Sequence, residues 1–396
     1  MPIAKWFNPR ISFDMFSPEV QQNPYPYYRE LRRHAPVYHC KKYDHWIVSR
    51  YADVATVLKR ADLFSSTILA PLESTLLGAD APGHPRVRKA FAAAFTRQRI
   101  AVYRQAIEMH TTRCLDQILP RGQCNLMPDF AIPLPISVIA TVMGFPTDRH
   151  ADYKRWSDAA VFEDLGTLTP AEQQPYKDSL QEFFAFLEQH LQNSRDQADQ
   201  QDTLSALIVT VAEQEKFTQE QTLNLAKLLF AAGHESTTAL IGNAVLALLK
   251  NPAQMEAIRE NPGLIPAMVE EALRNESPVQ FVRRRAVKAV EIAGVQIPAG
   301  AQVFALIGSA NRDETEFPEP DRFDIRRAPR THLVFGYGPH YCIGAQLSRM
   351  EASIAFEKLF SQLKSLQAAQ SLDEVEYLDL LQLRVLKCLE LIFESA

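Results

Sequence analysis

Several features that would indicate a particular class of protein are missing from this chain of 396 residues. The formal net charge of −5 gives no basic excess for nucleic acid, and no internal repeat divides the sequence. The N-terminal segment MPIAKWFNPRISFD lacks the apolar core of a signal peptide. The apolar stretch 130–145 is interrupted by Pro133 and Pro135 and is too short to span a bilayer, so it predicts a buried helix. We therefore expect a cytoplasmic protein that binds neither nucleic acid nor a membrane.

Cysteine is scarce, and the cysteines form no C-x-x-C pair. Their number is odd and they are scattered along the chain, which argues against a disulfide framework or a structural zinc site. Four of them are expected to be buried small apolar residues. The fifth, Cys342, has unusual neighbours. The five are Cys40, Cys114, Cys124, Cys342 and Cys388.

Helical patterns dominate what is present, and 46% of the residues are hydrophobic, which is enough for a large core. The composition does not shift along the chain, so residues 1–396 are predicted to form a single domain, mainly α with minor β. Predicted helices cover 24–33, 51–60, 82–94, 99–119 and 343–363, with a hairpin at 37–48 and a strand-rich segment at 290–307.

The most distinctive predicted helix covers 218–250. Thr218 and Gln221 have the spacing of a capping box, and Asn251-Pro252 ends the helix. At 1.5 Å per residue this helix is about 50 Å long. Polar residues at the centre of a buried helix cost free energy unless they are satisfied or used. The apolar centre nevertheless contains the run Ala232-Gly233-His234-Glu235-Ser236-Thr237, which indicates an active site.

A glycine-rich loop from Phe335 to Gly344, F-G-Y-G-P-H-Y-C-I-G, surrounds Cys342. Gly336 and Gly338 allow the backbone to fold tightly, and a position just before a helix N-terminus stabilises a thiolate. A thiolate is a soft ligand that donates electron density to iron and favours O–O cleavage. The pattern F-x-x-G-x-H-x-C-x-G resembles the haem-binding signature of the cytochromes P450 at every fixed position.

The resemblance implies the cytochrome P450 fold, with a long central helix over haem and small sheets, and haem b bound through Cys342 as the iron ligand. Phe335, Gly336 and Gly344 would shape the loop around the haem. Four side chains would donate hydrogen bonds to the haem propionates. Two belong to the H-x-x-x-R motif, one is the arginine that follows the E-x-x-R helix at 271–274, and one is the histidine two residues before the thiolate. These donors are His84, Arg88, Arg284 and His340.

The central run of the long helix resembles the family's A-G-x-D/E-T-T. Ala232 and Gly233 would leave room above the iron, and Gly233 is expected to widen the helical turn. An acid next to a hydroxyl can order water and deliver protons, so Glu235 and Ser236 are the predicted catalytic pair, with Thr237 as a substitute for Ser236. The sequence departs from the commonest pattern, because a serine occupies the first hydroxyl position. His234 is expected to be a packing or hydrogen-bonding residue.

Further motifs are assigned by the same resemblance. Glu271 and Arg274 form the family's E-x-x-R, and Arg322 in Pro320-Asp321-Arg322-Phe323 is expected to be the third member of this structural triad. Candidate substrate contacts lie in the loop 65–77, the region 161–174 and the turn 381–383. The named pocket residues are Leu228, Ala231, Gln280 and Val282.

The leading hypothesis is a monomeric haem-thiolate monooxygenase that inserts one atom of O2 into a small, largely apolar substrate of secondary metabolism. Electrons would come from NAD(P)H through a separate ferredoxin and ferredoxin reductase, because the chain leaves no room for a flavin or iron–sulfur domain. The alternatives are an enzyme that uses peroxide or catalyses a non-oxygenating rearrangement, a non-catalytic haem-binding protein, and a metal-free helical binding protein. Peroxide-using members carry Arg-Pro in place of Glu235-Ser236, which argues against that alternative.

Overall fold

The computed structural model describes residues 13–67, 75–162, 169–196, 203–327 and 331–396. The expected mainly helical fold with minor sheet is confirmed. Contacts group the chain into two compact units, each built from separate segments. The first unit comprises the described residues of Met1–Glu73, Asn243–Cys342 and Leu372–Lys387, and the second those of Ser74–Gly242, Ile343–Ser371 and Cys388–Ala396. No helix in the described ranges combines the length and apolarity needed to cross a membrane.

The α-helices and strands of the described residues have the following bounds. The helices are α1 (Pro18–Gln22), α2 (Tyr25–His34), α3 (Tyr51–Lys59), α4 (Gly83–Ala92), α5 (Arg97–Ile118), α6 (Pro133–Met143), α7 (His150–Phe162), α8 (Pro170–Asp196), α9 (Leu204–Gln214), α10 (Gln219–Lys250), α11 (Pro252–Glu260), α12 (Ile265–Asn275), α13 (Ile307–Ala310) and α14 (Ala345–Gln362). The strands are β1 (Val37–Cys40), β2 (His45–Val48), β3 (Phe64–Ser65), β4 (Gln123–Asn125), β5 (Val282–Ala286), β6 (Val290–Ile292), β7 (Val295–Ile297), β8 (Gln302–Ala305), β9 (Leu363–Ala368) and β10 (Glu390–Ser395).

Helix α10 has the predicted length and the predicted cap. The Thr218 N–H donates to Gln221 Oε1 at 2.8 Å, and the Gln221 N–H donates to Thr218 Oγ1 at 3.2 Å. The apolar stretch 130–145 also forms a buried helix, α6, which has prolines in its first turn, where their missing N–H is not needed. Local capping and proline chemistry therefore determine where these helices begin.

In the first unit, a five-stranded sheet has the order β1-β2-β8-β5-β3. The predicted hairpin is present, with Val37 opposite Val48, and β2 pairs in parallel with β8. Strand β5 runs antiparallel to β8 and also pairs with the short β3. Leu31 of α2, Ile47 of β2 and Leu306 lie in one buried cluster of this unit, so α2 packs against this sheet.

In the second unit, α5 packs against α14 and α7 packs against α8. A buried aromatic cluster connects α7, α8 and α10: the ring centroids of Trp156 and Phe183 are 5.3 Å apart, as are those of Phe183 and Phe230. Tyr153 lies 5.8 Å from Phe230. This packing fixes α7 beside the centre of α10 and is the reason that side chains from the two helices meet there.

The second unit also buries a carboxyl group, that of Glu351 on α14. Glu351 is 1% exposed, and its Oε1 makes no hydrogen bond to any described residue. Burial raises the pKa of Glu351 to about 8, because a charged carboxylate is poorly solvated there. The side chain is therefore protonated at neutral pH.

The Glu351→Gln variant is expected to gain stability relative to wild type as the pH rises. The folded-state pKa is raised, so the stability contribution of Glu351 is fully present below about pH 4.5 and is lost as the pH approaches about 8. The maximal slope is about 1.4 kcal/mol per pH unit. Urea unfolding of both proteins at pH 5, 6, 7 and 8 measures the difference. The exposed Glu357→Gln on the same helix is the matched control, and a difference that is constant with pH contradicts the prediction.

Candidate haem-binding and catalytic residues

The loop before α14 is closed by its own backbone. The Cys342 N–H donates to the Phe335 carbonyl at 2.7 Å, and the Gly336 N–H donates to the Leu333 carbonyl at 2.8 Å. Gly336 and Gly338 have φ of 75° and 77°, in the left-handed region that favours glycine. Residues 338–340 form a 3₁₀ turn, and Gly344 is the N-cap of α14. The predicted tight fold around Cys342 is therefore present.

Gly338 is required for a second reason, which the sequence did not reveal. A Cβ atom at this position would lie 2.9 Å from Lys59 Cα and 3.1 Å from the Leu58 carbonyl oxygen. Both are backbone atoms at the end of α3 and have little freedom to move. Gly338 therefore lets the loop pack directly on α3.

The environment of Cys342 differs from that of the other cysteines. Cys342 is exposed, Cys40, Cys114 and Cys124 are buried, and Cys388 is intermediate. The expectation of four buried cysteines is thus correct for three, and Cys388 is only half-buried because its thiol contacts Asn125 and Glu390 near the end of a sheet. Phe335, whose carbonyl accepts from the Cys342 N–H, is buried, and its ring centroid lies 6.4 Å from that of Tyr341.

Two of the predicted propionate donors lie on α4. His84 is 2% exposed, and Arg88, four residues later, is half-buried. Residues at this spacing share a helical face. Arg86, between them, is exposed and pairs with Glu215 at 3.0 Å. The face that carries His84 and Arg88 is therefore distinct from the face that carries Arg86.

The other two predicted donors belong to the first unit. Arg284 on β5 is 4% exposed, whereas Arg283 is half-buried and Arg285 is exposed. Burial thus distinguishes Arg284 from the other two consecutive arginines, and its role toward a propionate stays a prediction. The His340 imidazole lies in the 3₁₀ turn, with Nε2 3.1 Å from Ser66 Oγ. Ser66 therefore helps to orient His340.

Glu271 and Arg274 form a fully buried, bidentate ion pair with both N–O distances at 2.8 Å. The third arginine is not Arg322. Its side chain is 61% exposed and pairs with Glu319, and only its main-chain carbonyl accepts from Arg274. Arg327 is the arginine that reaches Glu271, with Nε 3.3 Å from Oε1 and 13% side-chain exposure. The prediction for Arg322 was wrong because the chain turns after Phe323 and brings Arg327 inward.

Helix α10 runs without interruption through the polar run, so the widened turn expected at Gly233 is absent. A Cβ atom on Gly233 would lie 2.5 Å from Ile139 Cδ1 and 2.7 Å from Cγ1. Glycine at this position therefore allows the close approach of α6 to α10. The neighbouring Ala232 is exposed.

Glu235 is held by partners on α7 and α10. Ser157 Oγ contacts Glu235 Oε1, and His234 Nε2 lies 3.2 Å from the same oxygen. Burial alone would raise the pKa of Glu235, but the hydrogen bond and charge of His234, with help from Ser157 and Lys154, lower it to about 2. Glu235 is therefore ionised near neutral pH. His234 is 1% exposed and hydrogen-bonded, as expected from the sequence.

The two hydroxyls of the run have different environments. Thr237 is buried and its Oγ1 lies 3.1 Å from Ser348 Oγ on α14. Ser236 is half-buried and makes only a 3.5 Å contact with the Ala232 carbonyl of its own helix. The hydroxyl of Ser236 is thus the less engaged of the two, and the catalytic role of either hydroxyl stays a prediction.

The predicted pocket residues separate into two groups. Leu228 and Ala231 on α10 and Val282 on β5 are half-buried. Gln280 is buried, and its amide is used within the fold: Oε1 accepts from Tyr28 at 3.2 Å and Nε2 donates to the Ser277 carbonyl at 2.7 Å. The structure does not support Gln280 as a substrate contact. Two stretches of the candidate substrate-contact segments lie outside the described residues: 68–74 of the loop 65–77, and 163–168 of the region 161–174.

The donor set fits iron protoporphyrin IX in its chemistry. Cys342 offers a soft sulfur ligand in a loop shaped by two glycines of positive φ. Arg284 and His84 are nearly fully buried, and buried cations or imidazoles require anionic or hydrogen-bonding partners. Guanidinium and imidazole groups bind carboxylates such as the two propionates of haem.

Comparison with known proteins agrees with this interpretation. The sequence profile of the family described as cytochrome P450 matches residues 14–375. The cytochrome P450 monooxygenase PikC of Streptomyces venezuelae is 35% identical over 397 residues, covering 96% of this chain and 94% of PikC. This sequence identity, over nearly the whole of both chains, is well above what a shared fold alone would require.

Solved structures show the same relationship. Cytochrome P450 CYP109Q5 from Chondromyces apiculatus superimposes with a TM-score of 0.88 at 34% identity, covering 98% of this chain and 99% of that one. P450BioI, solved in complex with hexadec-9Z-enoic acid ligated acyl carrier protein, has a TM-score of 0.87 at 34% identity, with coverage of 95% and 99%. With the thiolate loop, the buried Glu271–Arg274 pair and near-complete coverage in both comparisons, the chain belongs to the cytochrome P450 family of haem-dependent monooxygenases.

Proposed function

We propose that this cytochrome P450 inserts one oxygen atom from O2 into a small, largely apolar organic molecule, by hydroxylation or epoxidation, in secondary metabolism. The observation that carries the proposal is the glycine-shaped loop that presents an exposed Cys342 thiol. The apolar substrate class is supported by half-buried Leu228, Ala231 and Val282, and by the fatty acyl ligand of the related P450BioI.

Each part of the donor set has a separate task. Cys342 would hold haem b through its thiolate, and His84, Arg88, Arg284 and His340 would bind the propionates. When bound, the haem supplies the activation of dioxygen. Glu235 and Ser236 then provide the acid and the hydroxyl that hold and move protons on α10.

The electrons are proposed to come from NAD(P)H through a separate ferredoxin and ferredoxin reductase, with this chain acting as a monomer and carrying no flavin or iron–sulfur cluster. A reaction with purified ferredoxin, reductase and NAD(P)H under ¹⁸O2 tests the function. Mass spectrometry is expected to find one labelled oxygen in a product from a library of apolar compounds. Product formation that needs only hydrogen peroxide, or that carries unlabelled oxygen, contradicts it.

Replacement of Ser236 by alanine is expected to reduce the amount of product formed per NAD(P)H oxidised by about 10²-fold, the lower end of what positioned acid–base groups contribute. Without this hydroxyl the proton donor is no longer ordered. Electrons from NAD(P)H then reduce dioxygen to peroxide and water instead of forming product. Product and peroxide are quantified against NAD(P)H consumption.

The comparison is with Thr237→Val, which removes the neighbouring hydroxyl. Because Thr237 bonds to Ser348, this change mainly costs about 1 kcal/mol of stability. A larger loss of product yield in Thr237→Val than in Ser236→Ala would reverse the assignment of the two hydroxyls.

A further inference from the structure

Three polar side chains meet in the packed region where α7 crosses α10. Ser157 is fully buried and His234 is 1% exposed. Ser157 Oγ lies 2.6 Å from His234 Nε2 and also contacts Glu235 Oε1. His234 Nδ1 lies 2.8 Å from the Phe230 carbonyl oxygen, and Nε2 lies 3.2 Å from Glu235 Oε1. Ser157 Oγ, both imidazole nitrogens of His234 and Glu235 Oε1 therefore each face another polar atom.

The hydrogen atoms in the cluster can be counted. The Phe230 carbonyl only accepts, so His234 Nδ1 must carry a proton. In a neutral imidazole Nε2 is then an acceptor, and it takes the single hydroxyl hydrogen of Ser157. If Glu235 is ionised, no hydrogen atom is then left to lie between Ser157 Oγ and Glu235 Oε1, although the two oxygens are in contact. The contacts therefore require one proton more than a neutral histidine and an ionised glutamate provide.

The charges around the cluster determine where this proton lies. Lys154 and Asp158, which pair with each other on α7, are the other charged groups near the cluster that act on Glu235 or His234. The Lys154 charge favours an ionised Glu235. The Asp158 charge favours a positive charge on His234 but also opposes a negative charge on Glu235, so it does not distinguish the two positions of the proton. The Lys154 charge and the hydrogen bonds that Glu235 accepts therefore place the proton on His234 Nε2, from which it is donated to Ser157 and Glu235.

We propose that His234 is an imidazolium paired with ionised Glu235. Ser157 and His234 are then positioning residues, which hold the Glu235 carboxylate and one shared proton on the α7 side of α10. The relevance to oxidation rests on the proposed function, since dioxygen cleavage consumes protons. When the shared proton leaves, neutral His234 remains with its Nδ1 proton, and water returns one proton to restore the imidazolium. The acid of the relay is then a three-residue unit, in which Glu235 acts with Ser157 and His234.

The protonation of His234 can be read directly by nuclear magnetic resonance. The holoprotein is labelled with ¹⁵N-histidine and studied in its diamagnetic reduced carbon-monoxide form, with His234→Asn used to assign the signals. In wild type both ring nitrogens of His234 are expected to carry protons at pH 7. In Glu235→Gln the proton on Nε2 is expected to be lost at pH 7, because the opposite charge that favours the charged ring is gone.

Two serine variants separate positioning from packing. Ser157→Ala is expected to reduce the signal of the Nε2 proton at pH 7, and Ser157→Thr, which retains the hydroxyl, is expected to restore it. Ser205→Ala is the matched control, since Ser205 is equally buried and lies on α9 in the same unit. His110 is an internal reference: burial, with the nearby charges of His150 and Arg113, lowers its pKa to about 4, so it should be neutral in the same spectra.

A His234 that is neutral at pH 7 in wild type, or an Nε2 proton that is retained at pH 7 in Glu235→Gln, overturns the proposal. Neither result depends on substrate turnover. The proposed oxygenase function fails on different evidence, namely the lack of a thiolate-type spectrum or of ¹⁸O in product. The two failures are thus distinguishable.

Discussion

Cys342→Ser is expected to abolish the Soret band that is typical of thiolate-ligated haem in the reduced, carbon-monoxide-treated protein. Serine has nearly the same shape, but its hydroxyl remains protonated and is a poor donor of electron density to iron. Oxygenation should fall at least about 10²-fold, a loss of at least about 2.7 kcal/mol of transition-state stabilisation. The difference spectrum of reduced protein with and without carbon monoxide measures the first effect, and ¹⁸O incorporation measures the second.

Cys388→Ser is the matched control for this experiment. Cys388 is half-buried and contacts Asn125 and Glu390, so the substitution tests loss of a thiol away from the 335–344 loop. It should leave the spectrum unchanged. A thiolate-type band that persists in Cys342→Ser and disappears in Cys388→Ser would overturn the assignment of the iron ligand.

The parts of this protein that could be predicted from its sequence depend on local chemistry. The cap of α10 involves Thr218 and Gln221, which are three residues apart, and its pattern is visible in any single sequence. The hairpin of β1 and β2 is predicted by its β-branched and aromatic residues. The loop around Cys342 was found because its glycines, histidine and cysteine lie within ten positions of one another. For such features, spacing along the chain is close to spacing in space.

The parts that could not be predicted depend on contacts between distant segments. The parallel pairing of β2 with β8 joins residues more than two hundred positions apart, and no local pattern specifies it. The close approach of Gly338 to Lys59 is equally hidden, because a glycine in a loop has many uses. Gln280 was assigned to the pocket from its place in the chain, whereas Tyr28 and Ser277 determine its actual role.

The polar run of α10 shows both situations in one helix. Its residue types predict a chemical role, and the structure distinguishes the half-buried Ser236 from the buried, hydrogen-bonded Thr237. Ser157 is a further partner of Glu235 that the sequence did not indicate, since a serine within α7 has no local signature. Which side chains meet there is decided by the aromatic packing of α7 against α10.

The network around Glu271 leads to the second large expected effect. Glu271 and Arg274 are both 0% exposed, and Arg274 also donates to the carbonyl oxygens of Asn311 and Pro320 at 2.9 and 2.8 Å. The Asp324 N–H donates to Glu271 at 2.9 Å. Removing one member of a buried ion pair leaves an uncompensated charge and costs about 3–5 kcal/mol. Glu271→Gln is therefore expected to unfold at much lower urea concentration and to retain less haem.

Arg327→Ala and Arg322→Ala distinguish the two arginines that can complete this network. Arg327 is mostly buried and adds a charged hydrogen bond to Glu271, so its loss should cost about 1.5–3 kcal/mol. Arg322 pairs with Glu319 in solvent and gives only its main-chain carbonyl to Arg274, which alanine retains, so its loss should stay within about 0.5 kcal/mol. Urea unfolding and haem content of the two variants provide the comparison. If Arg322→Ala is the more damaging change, the side chain of Arg322 rather than that of Arg327 stabilises Glu271. If the predicted order holds, the chain secures this carboxylate with an arginine five positions beyond the one that the motif indicates.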